Sequence, residues 1–453
     1  MHKIVMFFLL LAYHLFTFSA VPAIASKLDA YLHACTDLGY FSGSVLVAKE
    51  GKIILDKGYG LSNHAWNIPN TPQTKFRLSS LSKPFISLAI MQLQERGLLR
   101  VHDLVSDYIP DYPRGNEITI HYLLTHTSGI KNYTALAAFD TFKKLPHSID
   151  EVIEQFKYLG LASNPGAVYK FSNSNYALLS FIIEQVTGQP HYEYIVEHIF
   201  KPAGMINSGY DCQETIVGER AVGYTLRGDH LVHAQYHDTS AVVGLGGFYS
   251  TVEDMYAFNR ALDTDFLVSR KYLDRIFKPY VHIGSVQDGI MYGYGWATIT
   301  LAGRTVKKHI GGIDGFSTAM YRFVDDGSFI AVLSNFQHSL TEPMSFDLAS
   351  IMYGEPYLVP IAHQPVVIDT SIYKAYVGEY RYKGLSYTVY QKGKDLYLKN
   401  PDKVIHKLIP YSKRDFFVPR LPIAVSFGMG EHGIAVNMVT QAFAKKRLLY
   451  RVN

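Results

Sequence analysis

Apolar and polar positions change their rhythm three times along the chain. "SGSVLVAKEGKIILDKGYG" alternates on either side of Lys49-Glu50-Gly51-Lys52 and predicts two strands joined by a turn. "FRLSSLSKPFISLAIMQLQERGLL" follows, apolar almost all round from Phe85 to Leu93. That pattern predicts a helix buried within a domain, ended by Gly97. Helical stretches recur near 148–159 and 176–187, and "STVEDMYAFNRAL" carries the Ser/Thr cap and acidic first turn of a helix start. Strands return in "RTVKKHIGG" and in "STAMYRFVDDGSFIAVLSNF", a hairpin around Asp325-Asp326-Gly327.

This order of strands, helices and strands predicts an α+β fold. Its antiparallel sheet is flanked by helices and carries an inserted, mostly helical region. From "VPIAHQPVVIDTS" the texture changes again. Residues 26–358 read as the main domain, 359–369 as a linker and 370–453 as a small all-β, barrel-like module. In that module turns recur every ~8–12 residues.

Composition narrows the function classes. A net charge of +4 over 453 residues, with no basic stripe, does not point to nucleic acid. The first 25 residues pair an early lysine with an apolar run and Ala23-Ile24-Ala25, the layout of a cleavable signal peptide. An uncleaved anchor helix is the alternative. Cleavage leaves 453 − 25 = 428 residues with no later stretch apolar enough to span a bilayer, so a periplasmic or secreted protein is expected. Cys35 and Cys212 permit either a disulfide or two unpaired thiols. His230, His233 and His237 read as part of a polar strand or loop rather than a metal site. No metal or organic cofactor is expected.

The chemistry concentrates at Ser80-Leu81-Ser82-Lys83, an S-x-x-K at the head of the buried helix. Positions i and i+3 share a helix face, so Ser80 Oγ and Lys83 Nζ can meet. Pro84 has no N–H and so belongs in the first turn, which puts Ser80 at the very start of the buried helix. Burial lowers a lysine's pKa and supplies a neutral amine to take the serine's proton. The plain alternative is a capping serine beside a surface lysine.

With its neighbours this segment resembles the serine beta-lactamase-related family, which includes class C beta-lactamases, low-molecular-weight penicillin-binding proteins and related esterases and peptidases. "FRLSSLSKPF" is similar to the family's nucleophile segment. "ITIHYLLTHTSGI" (118–130), "IFKPAGM" (199–205), "GLGGFYSTVEDM" (244–255) and "YGYGW" (292–296) match further landmarks in order, and "HIGGIDGF" (309–316) stands at the third motif. The resemblance implies that Ser80 is the acylated nucleophile and Lys83 a general base or proton relay. It places Asn173 against Lys83 or the substrate amide, and His309 and Gly311 along the cleft. The backbone N–H groups of Ser80 and Gly312 form the implied oxyanion hole.

Two positions depart from the pattern. His309 replaces the lysine of many relatives, so a substrate carboxylate loses a fixed cation. This turns the expectation from a dedicated beta-lactamase toward an esterase, amidase or peptidase. Phe171, in "YKFSNSNYALL", replaces the tyrosine of a Tyr-x-Asn motif and lines the substrate site without a phenol. Three accounts stay open: Lys83 is the sole base, Tyr169 or Tyr176 substitutes, or catalysis is lost and the protein only binds. The expected function is therefore an exported serine hydrolase of small ester, amide or D-amino-acid-type peptide substrates, cell-wall peptides among them. The alternatives are a penicillin-binding DD-peptidase or class C-like beta-lactamase, and a catalytically silent envelope binding protein.

Overall fold

The computed structural model describes residues 22–452 apart from 213, 285, 287, 288, 402 and 444. The expected signal peptide at 1–25 lies outside the described residues except for 22–25, which open helix α1 (22–37). Two compact units divide the chain, and neither is contiguous in sequence. One comprises 43–224 and 233–337; the other gathers 22–42, 225–232 and 338–452.

The first unit begins with β1 (Gly43–Lys49) and β2 (Lys52–Tyr59), followed by the short strands β3 (Leu61–Asn63), β4 (Ile68–Pro69) and β5 (Phe76–Arg77). The turn between β1 and β2 places Glu50 and Gly51 at φ 50 and 75, the paired positive values of a tight hairpin. A helical region follows: α2 (Lys83–Glu95), α3 (Ile120–Leu124), α4 (Phe139–Phe142), α5 (Ile149–Glu154), α6 (Ser174–Thr187), α7 (His191–Ile195) and α8 (Lys201–Ala203). Next in chain order come β6 (Gly209–Tyr210), the pair β7 (Tyr224–Arg227) and β8 (His230–His233), whose residues 225–232 fall in the second unit, and β9 (Phe248–Ser250), then α9 (Val252–Ala261) and α10 (Arg270–Phe277). The unit closes with β10 (Val281–His282), β11 (Met291–Tyr292), β12 (Ala297–Leu301), β13 (Arg304–Ile313), β14 (Phe316–Phe323) and β15 (Phe329–Ser334).

Eight of these strands form one antiparallel sheet in the order β10-β11-β12-β13-β14-β15-β1-β2. The helical region is thus an insertion between β2 and β10, as the strand–helix–strand order predicts. Helix α9 starts where its cap was read, with Thr251 Oγ1 accepting the N–H of Asp254 at 3.1 Å. Helix α2 is buried at every position from Lys83 to Leu93. Gly97, at φ 73, ends it, and the Leu98 N–H closes onto Leu93 O at 3.0 Å. Phe85 sits at the centre of this core, its ring edge-on to those of Phe200 at 4.9 Å and Phe258 at 4.7 Å.

In the second unit α1 and α11 (Thr341–Tyr353) are joined by the Tyr31 hydroxyl, which donates to Asp347 Oδ2 at 2.9 Å. Residues 355–369 have no regular structure. Eight antiparallel strands between Gly378 and Arg451 then close into a barrel. Its lumen is filled by a core that includes Tyr380, Val389, Leu396, Phe416 and Leu449.

Phe85→Ala is expected to destabilise the first unit by about 3–5 kcal/mol, the range for emptying a fully packed phenylalanine site. Urea denaturation of the full chain checks this; a loss below about 1 kcal/mol would mean that α2 is not the packing centre.

Candidate active site

Between β5 and α2 the chain makes one 3-10 turn, Ser79–Ser82. Pro84 stands in the first turn of α2, where its missing N–H has no consequence. Ser79 takes a left-handed backbone at φ 52, uncommon outside glycine. Its hydroxyl donates to Gly312 O at 2.7 Å and so ties the strained turn to β13. Ser80, half-buried, comes next, and Lys83 Nζ lies 2.7 Å from its Oγ. Lys83 is 0% exposed and has no carboxylate partner among the described residues. Burial alone lowers its pKa to about 7.

Aromatic rings enclose the amine. Lys83 Nζ lies 5.2 Å from the centroid of Phe171 and 5.4 Å from that of Tyr176. Phe171 is 45% exposed, so its ring is the layer that separates a fully buried amine from solvent. Tyr176 turns its hydroxyl elsewhere, to Leu124 O at 3.2 Å and Ser87 Oγ at 3.3 Å. Tyr169 packs edge-on to His126 and Tyr292. Neither tyrosine hydroxyl bonds to Lys83, so neither replaces the phenol missing at 171.

His126, behind Phe171, is the residue that sequence reasoning missed. It follows α3 in a left-handed cap at φ 56, with its N–H on Leu123 O and the Thr127 N–H on Tyr122 O. Glycine usually fills that position. The ring is wedged in place, with centroids 4.8 Å from Phe171, 5.2 Å from Tyr176 and 5.3 Å from Tyr292. Nδ1 accepts from the Ser172 N–H at 3.3 Å and from Asn175 Nδ2 at 3.2 Å. The proton therefore sits on Nε2, which is buried without a partner. Burial, then Lys83 and His309, hold its pKa far below the histidine range. Its signal was in view, inside the "HTSG" of the second landmark.

Asn173 opens α6. Its Nδ2 donates to Thr134 Oγ1 at 2.9 Å, its N–H to Asn132 Oδ1 at 3.0 Å, and its Oδ1 is buried and unpaired. The side chain does not bond to Lys83; a free carbonyl oxygen is what it offers a substrate N–H.

His309 is buried on β13. Its Nδ1–H donates to Ile310 O at 2.8 Å, and Nε2 lies 3.5 Å from the Tyr292 hydroxyl. Burial and the Lys83 charge push its pKa down to about 3, so it is neutral across the physiological range. Two residues on, Gly311 lies against the nucleophile turn. A Cβ there would sit 2.4 Å from both Leu78 O and Thr318 Oγ1 and 3.1 Å from the Ser80 nitrogen. Only glycine permits that approach. The "YGYGW" landmark has a matching explanation. Gly295, at φ 75, comes so near α2 that a Cβ would meet Ser87 Oγ at 2.6 Å and Lys83 O at 3.0 Å. Tyr292 of that landmark supplies the hydroxyl beside His309.

Cys35 and Cys212 are both free thiols. His230 and His233 stand on β8, and His237 Nδ1 lies 3.3 Å from Asp314 Oδ2. Among the described residues, no group of three or more His, Cys, Asp or Glu is placed to hold a metal ion.

Comparison with known proteins places the chain in a family. The beta-lactamase family profile matches residues 27–346. Penicillin-binding protein 4* of Bacillus subtilis is 31% identical over 416 residues, 86% of this chain and 91% of that protein. The putative penicillin-binding protein PbpX of the same organism is 36% identical over 265 residues, 56% of this chain and 66% of its own length. Among solved structures, a penicillin-binding protein from Bacillus halodurans aligns with a TM-score of 0.61 at 28% identity, covering 71% of this chain and 97% of that one. A D-amino acid amidase from Ochrobactrum anthropi aligns with a TM-score of 0.63 at 19% identity over 72% and 99%, a likeness of fold.

Gly311→Ala should separate β13 from the Ser79–Ser82 turn. The expected result is a loss of about 1–3 kcal/mol in stability, the range for overpacking a tight site, together with loss of covalent labelling at Ser80. Thermal melting and a serine-reactive probe measure the two effects; a fully labelled variant of unchanged stability would contradict the close approach.

Proposed function

The chain belongs to the beta-lactamase family of serine hydrolases, and from that premise we propose that it cleaves small esters, amides or D-amino-acid-type peptides through a Ser80 acyl-enzyme. The carrying observation is the 2.7 Å contact between Ser80 Oγ and an amine whose burial brings its pKa to about 7. A neutral Lys83 takes the Ser80 proton as Oγ attacks the substrate carbonyl. The backbone N–H groups of Ser80 and Gly312 receive the oxyanion, a contribution of ~2.7–4 kcal/mol per donor in such sites. Lys83 then returns the proton to the leaving alcohol or amine. Water then attacks the acyl carbonyl and gives its proton to Lys83, which passes it to Ser80 Oγ as the acyl C–O bond breaks and the acid leaves.

Phe171 leaves this cycle without a phenol, and the arrangement supports Lys83 as the sole proton carrier. The ring faces of Phe171 and Tyr176 meet the transient ammonium, an attraction of about 0.5–2 kcal/mol each depending on desolvation. A silent binding protein has less support, because nucleophile, amine and strand approach are all assembled.

Substrate choice follows from charge. His309 stays neutral, so it offers no fixed cation to a penicillin-type carboxylate. This favours neutral acyl donors. Peptide-like substrates draw support from the relatives named for penicillin binding and from the amidase of the same fold. The Ala23-Ile24-Ala25 site belongs with action outside the cytoplasm.

Incubation with a fluorophosphonate probe and a fluorescent penicillin, beside Ser80→Ala, tests the acyl-enzyme. Fluorophosphonate labelling of the wild type alone is expected, with weak or no penicillin labelling; no Ser80-dependent labelling by either probe overturns the reading. Since Lys83 must be neutral to act, the labelling rate should rise with pH and reach half its plateau near pH 7. Phe171→Tyr should leave that rate nearly unchanged. A rise of ~100-fold, the scale of a general acid–base contribution, would show that the phenol was the missing carrier.

A further inference from the structure

The geometry points to a binding site for a phosphate group beneath α10, formed by Lys307 of β13 and Arg322 of β14. It stands independently of the hydrolase reading. The two residues are direct partners in the β13–β14 ladder, and each is only 8% exposed. Like charges placed opposite one another repel, and buried charges are ordinarily paired.

Arg322 follows that rule. Its guanidinium donates to Asn259 O at 2.8 Å, to Asn259 Oδ1 at 2.7 Å and to Asp263. Lys307 does not. Its Nζ donates to Phe277 O at 2.7 Å and to Thr298 Oγ1 at 2.9 Å, both uncharged, and it meets no carboxylate among the described residues. An ammonium has three N–H donors, so one is left without a protein acceptor. The Phe277 ring lies 5.9 Å from each cation and separates them from the body of α10.

A cavity of about 360 Å³ opens at this point, lined by Arg270, Asp274, Phe277, Lys278, Lys307 and Arg322 among others. Four of these are cations and one is a carboxylate, already bound by Arg270 at 2.9 Å. The volume is far above the ~30 Å³ that one water occupies in the liquid, so a charged group and its substituent both fit. A tetrahedral, doubly charged oxyanion can accept from several converging donors, whereas a carboxylate satisfies one fork. Lys307 also caps the last turn of α10, but capping Phe277 O accounts for one of its donors and not for three further cations around the cavity. Burial depresses the Lys307 pKa, a penalty that a bound anion would reverse. On β13, Lys307 is two residues from His309 on the same face, ~6.6 Å along the strand, so an occupant would adjoin the hydrolytic cleft.

The test uses the full chain with inorganic phosphate against sodium chloride of equal ionic strength, read by melting temperature and by phosphorus NMR line width. A saturable rise in melting temperature with line broadening is expected. Lys307→Met should abolish both. The exposed Arg270→Gln variant, which should fold as the wild type does, should weaken binding ~tenfold, the loss of about one charge-assisted hydrogen bond. No saturable effect beyond chloride, an equal effect from acetate, or unchanged affinity in Arg270→Gln overturns the site. Glycerol 3-phosphate and a glycerophosphodiester separate the sources. Binding of the monoester alone marks a small phosphorylated ligand; comparable binding of the diester marks a phosphate-linked polymer. Ser80 labelling is read in the same samples, so a failure of the phosphate site is told apart from a failure of the hydrolase reading.

Discussion

Everything distinctive about the first unit follows from one buried amine, Lys83, held 2.7 Å from Ser80 Oγ with no carboxylate beside it. Burial disfavours its charged form, and each pKa unit of depression corresponds to about 1.4 kcal/mol of difference between the protonation states. The direction for stability is definite. From about 7, its folded pKa, up to its ordinary value, the unfolded chain holds a proton that the folded chain lacks. Stability therefore rises with pH through that window, and below it the full penalty of a buried ammonium applies. A core helix that needed only to pack would carry leucine or methionine there. The amine is retained at a stability penalty, as activated lysines are.

The surroundings keep water away from that amine while leaving Ser80 within reach. Helix α2 is buried on all sides, Gly295 brings the turn between β11 and β12 onto its first turn, and Gly311 brings β13 onto the serine turn. Two non-glycine residues accept left-handed backbones at the same place. Ser79 is repaid by its bond to Gly312 O, and His126 by two bonds to Nδ1 and an aromatic wedge. Strain of this kind persists only where neighbours over-determine it, and it clusters at functional sites.

Local patterns were legible in the sequence, and long-range ones were not. The spacing of Ser80 and Lys83, the all-round apolarity of α2, the Thr251 cap and the hairpin at Asp325–Gly327 each express a rule that acts within a few residues. The strand order implied the inserted helical region. His126 escaped notice because a histidine in a glycine position is identified by its φ, and its aromatic cage comes from two stretches far from it in sequence, 169–176 and Tyr292. The apolar run from 176 makes the helix under Tyr176 legible, yet only the packing shows that its ring faces Lys83 while its hydroxyl does not. The opposition of Lys307 and Arg322 depends on β-register, and the non-contiguous compact units on tertiary packing; neither has a one-dimensional signature.

The two departures from the family pattern have one physical meaning. A phenol at position 171 could share the proton of Lys83, and a lysine at position 309 would set a second cation into the same enclosure. Phe171 and His309 remove both. What remains is one ionisable group among neutral rings, since His126 and His309 are each held uncharged with Lys83 itself among the causes. Three basic groups so close cannot all be protonated, and burial leaves Lys83 as the one that titrates near neutrality. In the proposed cycle, losing the phenol therefore leaves the proton one carrier, Lys83, whose affinity for it is set by burial.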